Sequence, residues 1–74
     1  MSNMIVQVRF IEGSNIIDCL IEAQDLATKL NVAYVEFKFN GIDVSIAPHV
    51  DVDFSVKDYW NECMKNGDKV VIFS

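Results

Sequence analysis

The chain has 74 residues, of which 51% are hydrophobic, and a formal net charge of −5. This length gives room for one small domain over residues 1–74, and the apolar content is too high for a disordered chain. The acidic balance disfavours direct binding to nucleic acid, because affinity for phosphates comes from lysine and arginine. We find no signal-peptide pattern and no apolar run near the roughly 20 residues of a membrane span, so we expect a cytoplasmic protein.

The first two predicted elements are a strand and a helix. The strand segment alternates apolar residues from Met4 onward, and Gly13 breaks it. In the following segment apolar residues recur at helical spacing, and Asn15 and Asn31 are residue types that cap the two ends of a helix. Acidic residues lie early in this helix and Lys29 lies late, which the helix dipole favours.

A β-hairpin follows, and its turn is the strongest local signal in the chain. Asn40-Gly41 lies between two alternating runs, and Asn-Gly suits a type I′ turn because both positions need positive φ. Pairing outward from this turn places every apolar residue of the hairpin on one face. The charged pair Lys38–Asp43 then lies on the other face, so the register is strongly specified.

The last part of the chain is predicted as a loop, a helix and a strand. Pro48 stops the second hairpin strand, and we expect the apolar residues of the loop to tuck under the domain. Ser55 is predicted to cap the second helix, with Phe54 packed against Tyr59 and Gly67 at the end. The final strand is an uninterrupted apolar run, which suggests that both of its sides are at least partly covered.

The predicted order is therefore β-α-β-β-α-β, over residues 4–11, 15–30, 33–39, 42–46, 55–66 and 68–73. This order matches an α+β, ferredoxin-like two-layer sandwich, in which two helices cover one face of a four-stranded antiparallel sheet. Right-handed crossovers would place the first and third strands in the centre. Such a fold hosts unrelated functions, so it does not by itself indicate an activity.

Two surfaces are candidates for partner binding. The first is an acidic patch drawn from the hairpin, the loop and the outer side of the second helix: Asp43, Asp51, Asp53, Asp58 and Glu62. Such a patch would attract a basic protein partner at long range, although a net charge of this size also simply keeps a small domain soluble. The second is an apolar set on the open sheet face: Ile5, Ile11, Tyr34, Val71 and Phe73. Contiguous apolar residues there would mark a homodimer or partner surface, unless a terminal or loop segment folds over them.

Residues with catalytic or metal-binding chemistry are sparse. His49 is the single histidine, and with Asp51 and Asp53 it could hold a divalent cation, but a solvated loop is the favoured interpretation. Cys19 and Cys63 could form one disulfide, but both fall on the apolar sides of the two helices, which favours buried thiols. We therefore expect no enzyme, no cofactor and no metal site.

Binding of RNA by sheet aromatics is also disfavoured. RNA-binding domains with this element order stack bases on aromatic residues of the open sheet face. Here Phe37 and Phe39 point toward the core, Tyr34 alone points outward, and no basic residues surround it.

These observations favour a small non-enzymatic interaction protein that binds a basic, nucleic-acid-handling partner. Its size and acidity suit accessory or inhibitory proteins of the phage or mobile-element type, an analogy that does not follow from the fold. The alternative is a small homo-oligomer that binds a ligand at the subunit junction, because one domain of this size has little interior volume.

Overall fold

The computed structural model describes residues 3–11 and 13–74, in which four strands and two helices follow one another as β-α-β-β-α-β. The elements are β1 (Ile5–Gln7), α1 (Ile16–Leu30), β2 (Tyr34–Phe39), β3 (Ile42–Ile46), α2 (Phe54–Asn66) and β4 (Val70–Phe73). The predicted element order is confirmed. The first strand is shorter than expected, with three residues in place of the run over 4–11.

Polar side chains and a left-handed residue fix the ends of α1, as predicted. The Asn15 side chain accepts a hydrogen bond of 2.9 Å from the backbone N–H of Asp18 and so satisfies a free donor of the first turn. Asn31 has a φ of 52°, and its N–H donates to the carbonyls of Ala27 and Thr28. These contacts satisfy two of the carbonyls that the end of the helix leaves free.

The central hairpin has the predicted turn and the predicted register. Asn40 and Gly41 both have positive φ, at 51° and 79°, as a type I′ turn requires. The cross-strand pairs are Val35–Ile46, Glu36–Ser45, Phe37–Val44, Lys38–Asp43 and Phe39–Ile42. All apolar members of these pairs share one face, so the hairpin supplies the centre of an apolar sheet surface.

The start of α2 differs in detail from the expectation. Asp53, and not Ser55, is the N-cap: its Oδ1 accepts from the backbone N–H of Ser55 at 3.0 Å and from the Ser55 hydroxyl at 2.6 Å. Phe54 is 87% exposed and is not packed against Tyr59. The Tyr59 ring instead meets the ring of Phe73 edge to face, with centroids 5.4 Å apart.

The sheet topology contradicts the ferredoxin-like prediction. The strands lie in the order β1-β2-β3-β4, with β1 parallel to β2, β2 antiparallel to β3, and β3 parallel to β4. The sheet is therefore mixed, β2 and β3 form its centre, and β1 and β4 are its edges. The α+β class with four strands and two helices remains.

The hand of the crossovers explains the difference. In a ferredoxin-like sheet two right-handed crossovers place both helices on one face. Here both crossovers step across the sheet in the same direction, while their strand pairs run in opposite directions. Since both helices pack into one core on one face, the two crossovers have opposite hands. One of them is thus left-handed, a geometry found in about 2% of such connections.

The core lies between the helices and the apolar face of the sheet. Its buried residues come from both helices, from β2, β3 and β4, and from the connection between α1 and β2: Cys19, Leu20, Ala23, Ala27, Val32, Val35, Phe37, Ile42, Val44, Ile46, Val56, Trp60, Cys63, Val71 and Phe73. Val6, Val8 and Phe10 pack against this core from the β1 side. No buried side-chain nitrogen or oxygen in the described part of the chain lacks a hydrogen-bond partner.

We expect the stability cost of shortening a leucine side chain in α1 to depend on how deeply that side chain is buried. Leu20→Ala removes a side chain with no exposed surface and should lower the free energy of unfolding by about 2–5 kcal/mol. Leu30→Ala makes the same change at a residue that is 50% exposed in the same helix, and should cost about 1 kcal/mol or less. Urea unfolding followed by circular dichroism measures both values. Equal costs at the two positions would contradict the placement of α1.

Candidate functional site

Charge is unevenly distributed between the two sides of the sheet. We call α1, the loop at residues 47–53 and α2 the helix layer; it carries seven exposed acidic side chains against three exposed lysines. The acids are Asp18, Glu22, Asp25, Asp51, Asp53, Asp58 and Glu62, and the lysines are Lys29, Lys57 and Lys65. The other described segments hold three acids and three bases, so the negative excess lies on the helix layer.

Four of the five residues predicted as an acidic patch belong to this layer. Asp51 and Asp53 lie in the loop, and Asp58 and Glu62 are one turn apart on the exposed side of α2. Asp43 does not join them. It lies on the opposite face of the sheet, where its Oδ1 is 3.9 Å from the Nζ of Lys38. The hairpin register that places Lys38 and Asp43 on the open face is the reason, so including Asp43 in one patch was wrong.

The first helix contributes three acids that the predicted patch left out. Asp18, Glu22 and Asp25 are spaced four and three residues apart, which places them along one exposed line of α1. Asp25 makes an ion pair of 2.8 Å with Lys29, at the end of the same line. The spacing was visible in the sequence. Its relevance depends on both helices covering the same side of the sheet.

An apolar groove adjoins these acidic residues. A concavity of about 380 Å³ is lined by Ile17 of α1, by Val52 and Asp53 of the loop, and by Phe54 and Lys57 at the start of α2. We call it the interhelical groove. Phe54 projects 87% of its surface to solvent, and Ile21, one turn after Ile17 in α1, is 47% exposed. Exposed large apolar side chains that are bordered by charged residues are typical of a binding surface.

Asp53 links the acidic layer to the fold because it caps α2. The hydroxyl and the backbone N–H of Ser55 both donate to its carboxylate, and these bonds hold the pKa of Asp53 below its usual value. The negative charge also lies at the helix N-terminus, where the dipole favours it. Asp53 is therefore a structural residue at the edge of the candidate surface.

The predicted apolar set on the open face does not form as one patch. Val71 and Phe73 are 2% and 5% exposed and belong to the core, so their placement on the open face was wrong. Parallel pairing places Val70 opposite Asp43 and Ile72 opposite Ser45, and these two side chains are 58% and 50% exposed. The run Val-Val-Ile-Phe is apolar at every position, so alternation could not fix which residues face the helices.

The remaining members of that set, Ile5, Ile11 and Tyr34, lie toward the β1 edge of the sheet. Ile5 is 55% exposed and pairs with the half-buried Tyr34, whereas Ile11 lies beyond β1 and is 86% exposed. Between the apolar residues of β1 and those of β4, polar side chains of the two central strands occupy the open face: Glu36, Lys38, Asp43 and Ser45. The open face is thus apolar along β4 and polar in its middle, and at the β1 edge it carries both Ile5 and the polar Gln7.

The loop before α2 has a turn at Pro48-His49 and a concave surface beside it. His49 has a φ of 65°, and its N–H donates to Thr28 Oγ1 at 3.2 Å. A groove of about 550 Å³ runs from this loop to β4, past Tyr59 and Ile72. Among the described residues no three His, Cys, Asp or Glu side chains are grouped to hold a metal ion.

The two cysteines are free and buried, as predicted. Burial is the main cause that raises the pKa of the Cys19 thiol, and the neighbouring carboxylates of Glu22 and Asp18 add to it. Burial likewise raises the pKa of Cys63. Thiols of this kind are poor nucleophiles, because the reactive form is the thiolate.

Comparisons of this chain with protein-family models, with curated proteins and with solved structures gave no match. Neither helix in the described part of the chain has the length and apolar character needed to cross a bilayer.

The N-cap predicts a specific pH dependence of stability. Because the folded pKa of Asp53 is lowered, its contribution is present above the unfolded pKa of about 3.9 and is lost as the pH falls through the folded value. We expect Asp53→Ala to lower the melting temperature at pH 7 and to differ progressively less from the wild type below about pH 4.

Two further variants serve as controls for this measurement. Asp53→Asn keeps an acceptor for the Ser55 N–H and should lose less stability at pH 7 than Asp53→Ala. Asp51→Ala removes an exposed loop carboxylate two residues earlier and should change the melting temperature least. A wild-type advantage over Asp53→Ala that grows on acidification would contradict the assignment.

Proposed function

We propose that this chain is a non-catalytic interaction protein that uses its acidic helix layer to bind a protein with a basic surface. The observation that carries the proposal is the uneven charge: seven acids against three lysines on the helix layer, and a balance elsewhere in the described chain. A field of one sign on one side of a small domain orients encounters and speeds association with an oppositely charged partner.

The interhelical groove gives the proposed surface an apolar component. Electrostatic attraction alone favours encounter more than affinity, and a stable complex needs apolar anchors that become buried. Phe54, at 87% exposed, and Ile21, at 47%, supply apolar area next to the acidic lines of the two helices. The partner that fits this arrangement has a basic surface with an apolar projection.

The proposed partner class is a protein that handles nucleic acid. Along α1, Asp18 and Glu22 are four residues apart, which is about 6 Å along the helix axis at 1.5 Å of rise per residue, and Asp25 continues the line. A row of negative charges resembles the charge of a nucleic-acid backbone. A partner whose groove binds phosphates would therefore also attract this row. An accessory or inhibitory role of the phage or mobile-element type is the biological form of this proposal.

A second candidate function is ligand binding by a homo-oligomer, and one observation favours it. The groove that passes Tyr59 and Ile72 adjoins β4 at the edge of the sheet. A second subunit placed there would enclose part of this groove, and pockets are common at such junctions. The two candidates differ in salt dependence, because only the first is steered by charge.

The test of the proposed function is charge reversal on the helix layer. Asp58→Lys with Glu62→Lys reverses two exposed charges on α2, and Glu36→Lys with Asp43→Lys makes the same change on the opposite face. Each variant is immobilised, exposed to lysate at low salt and at about 0.5 M salt, and its bound proteins are identified by mass spectrometry.

We expect a basic protein that is lost at high salt, lost with the helix-layer variant and retained by the open-face variant. Circular dichroism of both variants checks that they fold. Bound proteins that are indifferent to salt and to the helix-layer reversal would contradict the proposed function. Capture that depends equally on both pairs of residues would contradict the location of the surface.

A further inference from the structure

The outer side of β4 has backbone groups that point to a free sheet edge. The carbonyl of Lys69 accepts from the N–H of Asp43 at 3.0 Å, and the carbonyl of Phe73 accepts from the N–H of Ala47 at 2.9 Å. Successive residues of a strand direct their N–H and C=O groups to opposite sides. Val70 and Ile72 therefore direct their backbone donors and acceptors away from β3, to the side where residues 3–11 and 13–74 place no strand.

This edge has none of the charged residues, prolines or bulges that usually prevent strand addition. Native proteins guard free edges with charged residues, proline, bulges or very short strands. β4 has four residues, all apolar, and Val70 and Ile72 are 58% and 50% exposed. The other edge, β1, has only three residues, and Arg9 follows shortly after it. The two edges are thus unequal, and β4 is the one open to pairing.

The geometry points to antiparallel pairing of β4 with β4 of a second copy of this chain. A two-fold axis at Val71 places Val70 opposite Ile72 of the second copy, and Ile72 opposite its Val70. Both residues direct their backbone groups outward, so each of these two opposed pairs exchanges two N–H···O bonds. Their side chains then form one apolar row on the open face of a continuous eight-stranded sheet.

The edge is complementary to itself, and its charge does not select a basic partner. The excess of negative charge lies on the helix layer, whereas the residues flanking β4 are Asp68 and Lys69, of opposite sign. In the pairing about Val71 these two residues lie opposite Ser74 and Phe73 of the second copy, so no like charges meet along the paired strands. Tyr59, 48% exposed and packed on Phe73, adds apolar surface beside the edge on the helix side.

The prediction concerns both mass and amide protection. Light scattering coupled to size exclusion should approach twice the 8.4 kDa of the single chain as concentration rises. Hydrogen exchange followed by NMR should show protection of the Val71 and Phe73 amides, which face β3, at every concentration. The Val70 and Ile72 amides should become protected only where the dimer forms. Strong protection of all four amides in the monomer, or exchange of Val70 and Ile72 in the dimer, would overturn the proposal.

Two variants separate edge pairing from general destabilisation. Val70→Lys should raise the dimer dissociation constant at least about tenfold, because it places a charge in the shared apolar row. Ile72→Pro removes an N–H that faces outward and should block pairing while keeping the β3–β4 ladder. Ile5→Lys makes the matched change on β1, where the native side chain is 55% exposed, and should leave dimerisation unchanged.

Other results would refute the inference. A wild-type chain that stays monomeric at millimolar concentration contradicts it, and so does a dimer that Ile5→Lys disrupts and Val70→Lys does not. The helix-layer variant Asp58→Lys with Glu62→Lys should still dimerise, at least as tightly as the wild type, since neither residue lies at the edge and the change lowers the negative charge that two copies bring together. Failure of this inference is therefore distinguishable from failure of the proposed function.

Discussion

The β2–β3 hairpin is the constraint on which the rest of the structure depends. Its Asn40-Gly41 turn fixes the register, and the register fixes which face of the central strands is apolar. A shift of one residue would place the apolar residues of β2 and those of β3 on opposite faces of the sheet, and no helix layer on one side could then cover them all. Both helices must pack on the face that the hairpin selects, because each has a single apolar side to bury.

Both helices cover the same face of a sheet with the order β1-β2-β3-β4, and this limits the handedness of the two crossovers. Two parallel pairs joined by an antiparallel hairpin cannot both use right-handed crossovers and keep their helices on the same face. The chain accepts one left-handed crossover and leaves β4 at an edge. The same arrangement gathers acidic side chains of α1 and α2 on one surface, so charge separation and the open edge both follow from it.

Much of the fold could be predicted from local sequence signals. The hairpin turn and its register, the caps at Asn15 and Asn31 and the order of the elements follow from short-range chemistry. The pairing of the edge strands was predicted wrongly, because that prediction relied on the usual right-handed crossover. The crossover rule concerns chain topology and not local sequence. The prediction of which β4 side chains face the helices was also wrong, because four consecutive apolar residues contain no alternation that could distinguish Val71 from Ile72.

The candidate surface was predictable in part for the same reasons. The loop and α2 acids were recognised, and Asp43 was included although the hairpin register places it with Lys38 on the other face. The line of Asp18, Glu22 and Asp25 was readable as helical spacing. Its role as a surface depends on where α1 packs. Residue chemistry is therefore visible in the sequence, whereas the grouping of residues into a site depends on the three-dimensional arrangement.

The most direct test of this account is the strand order, measured by nuclear Overhauser effects between backbone protons of the monomer. The account predicts contacts between Val6 and Val35 across β1 and β2, and between Val44 and Val71 across β3 and β4. It predicts no contacts between β1 and β4, which lie at opposite edges. Backbone contacts between β1 and β4, with β1 in the centre of the sheet, would contradict it, and the proposed dimer edge would then not exist.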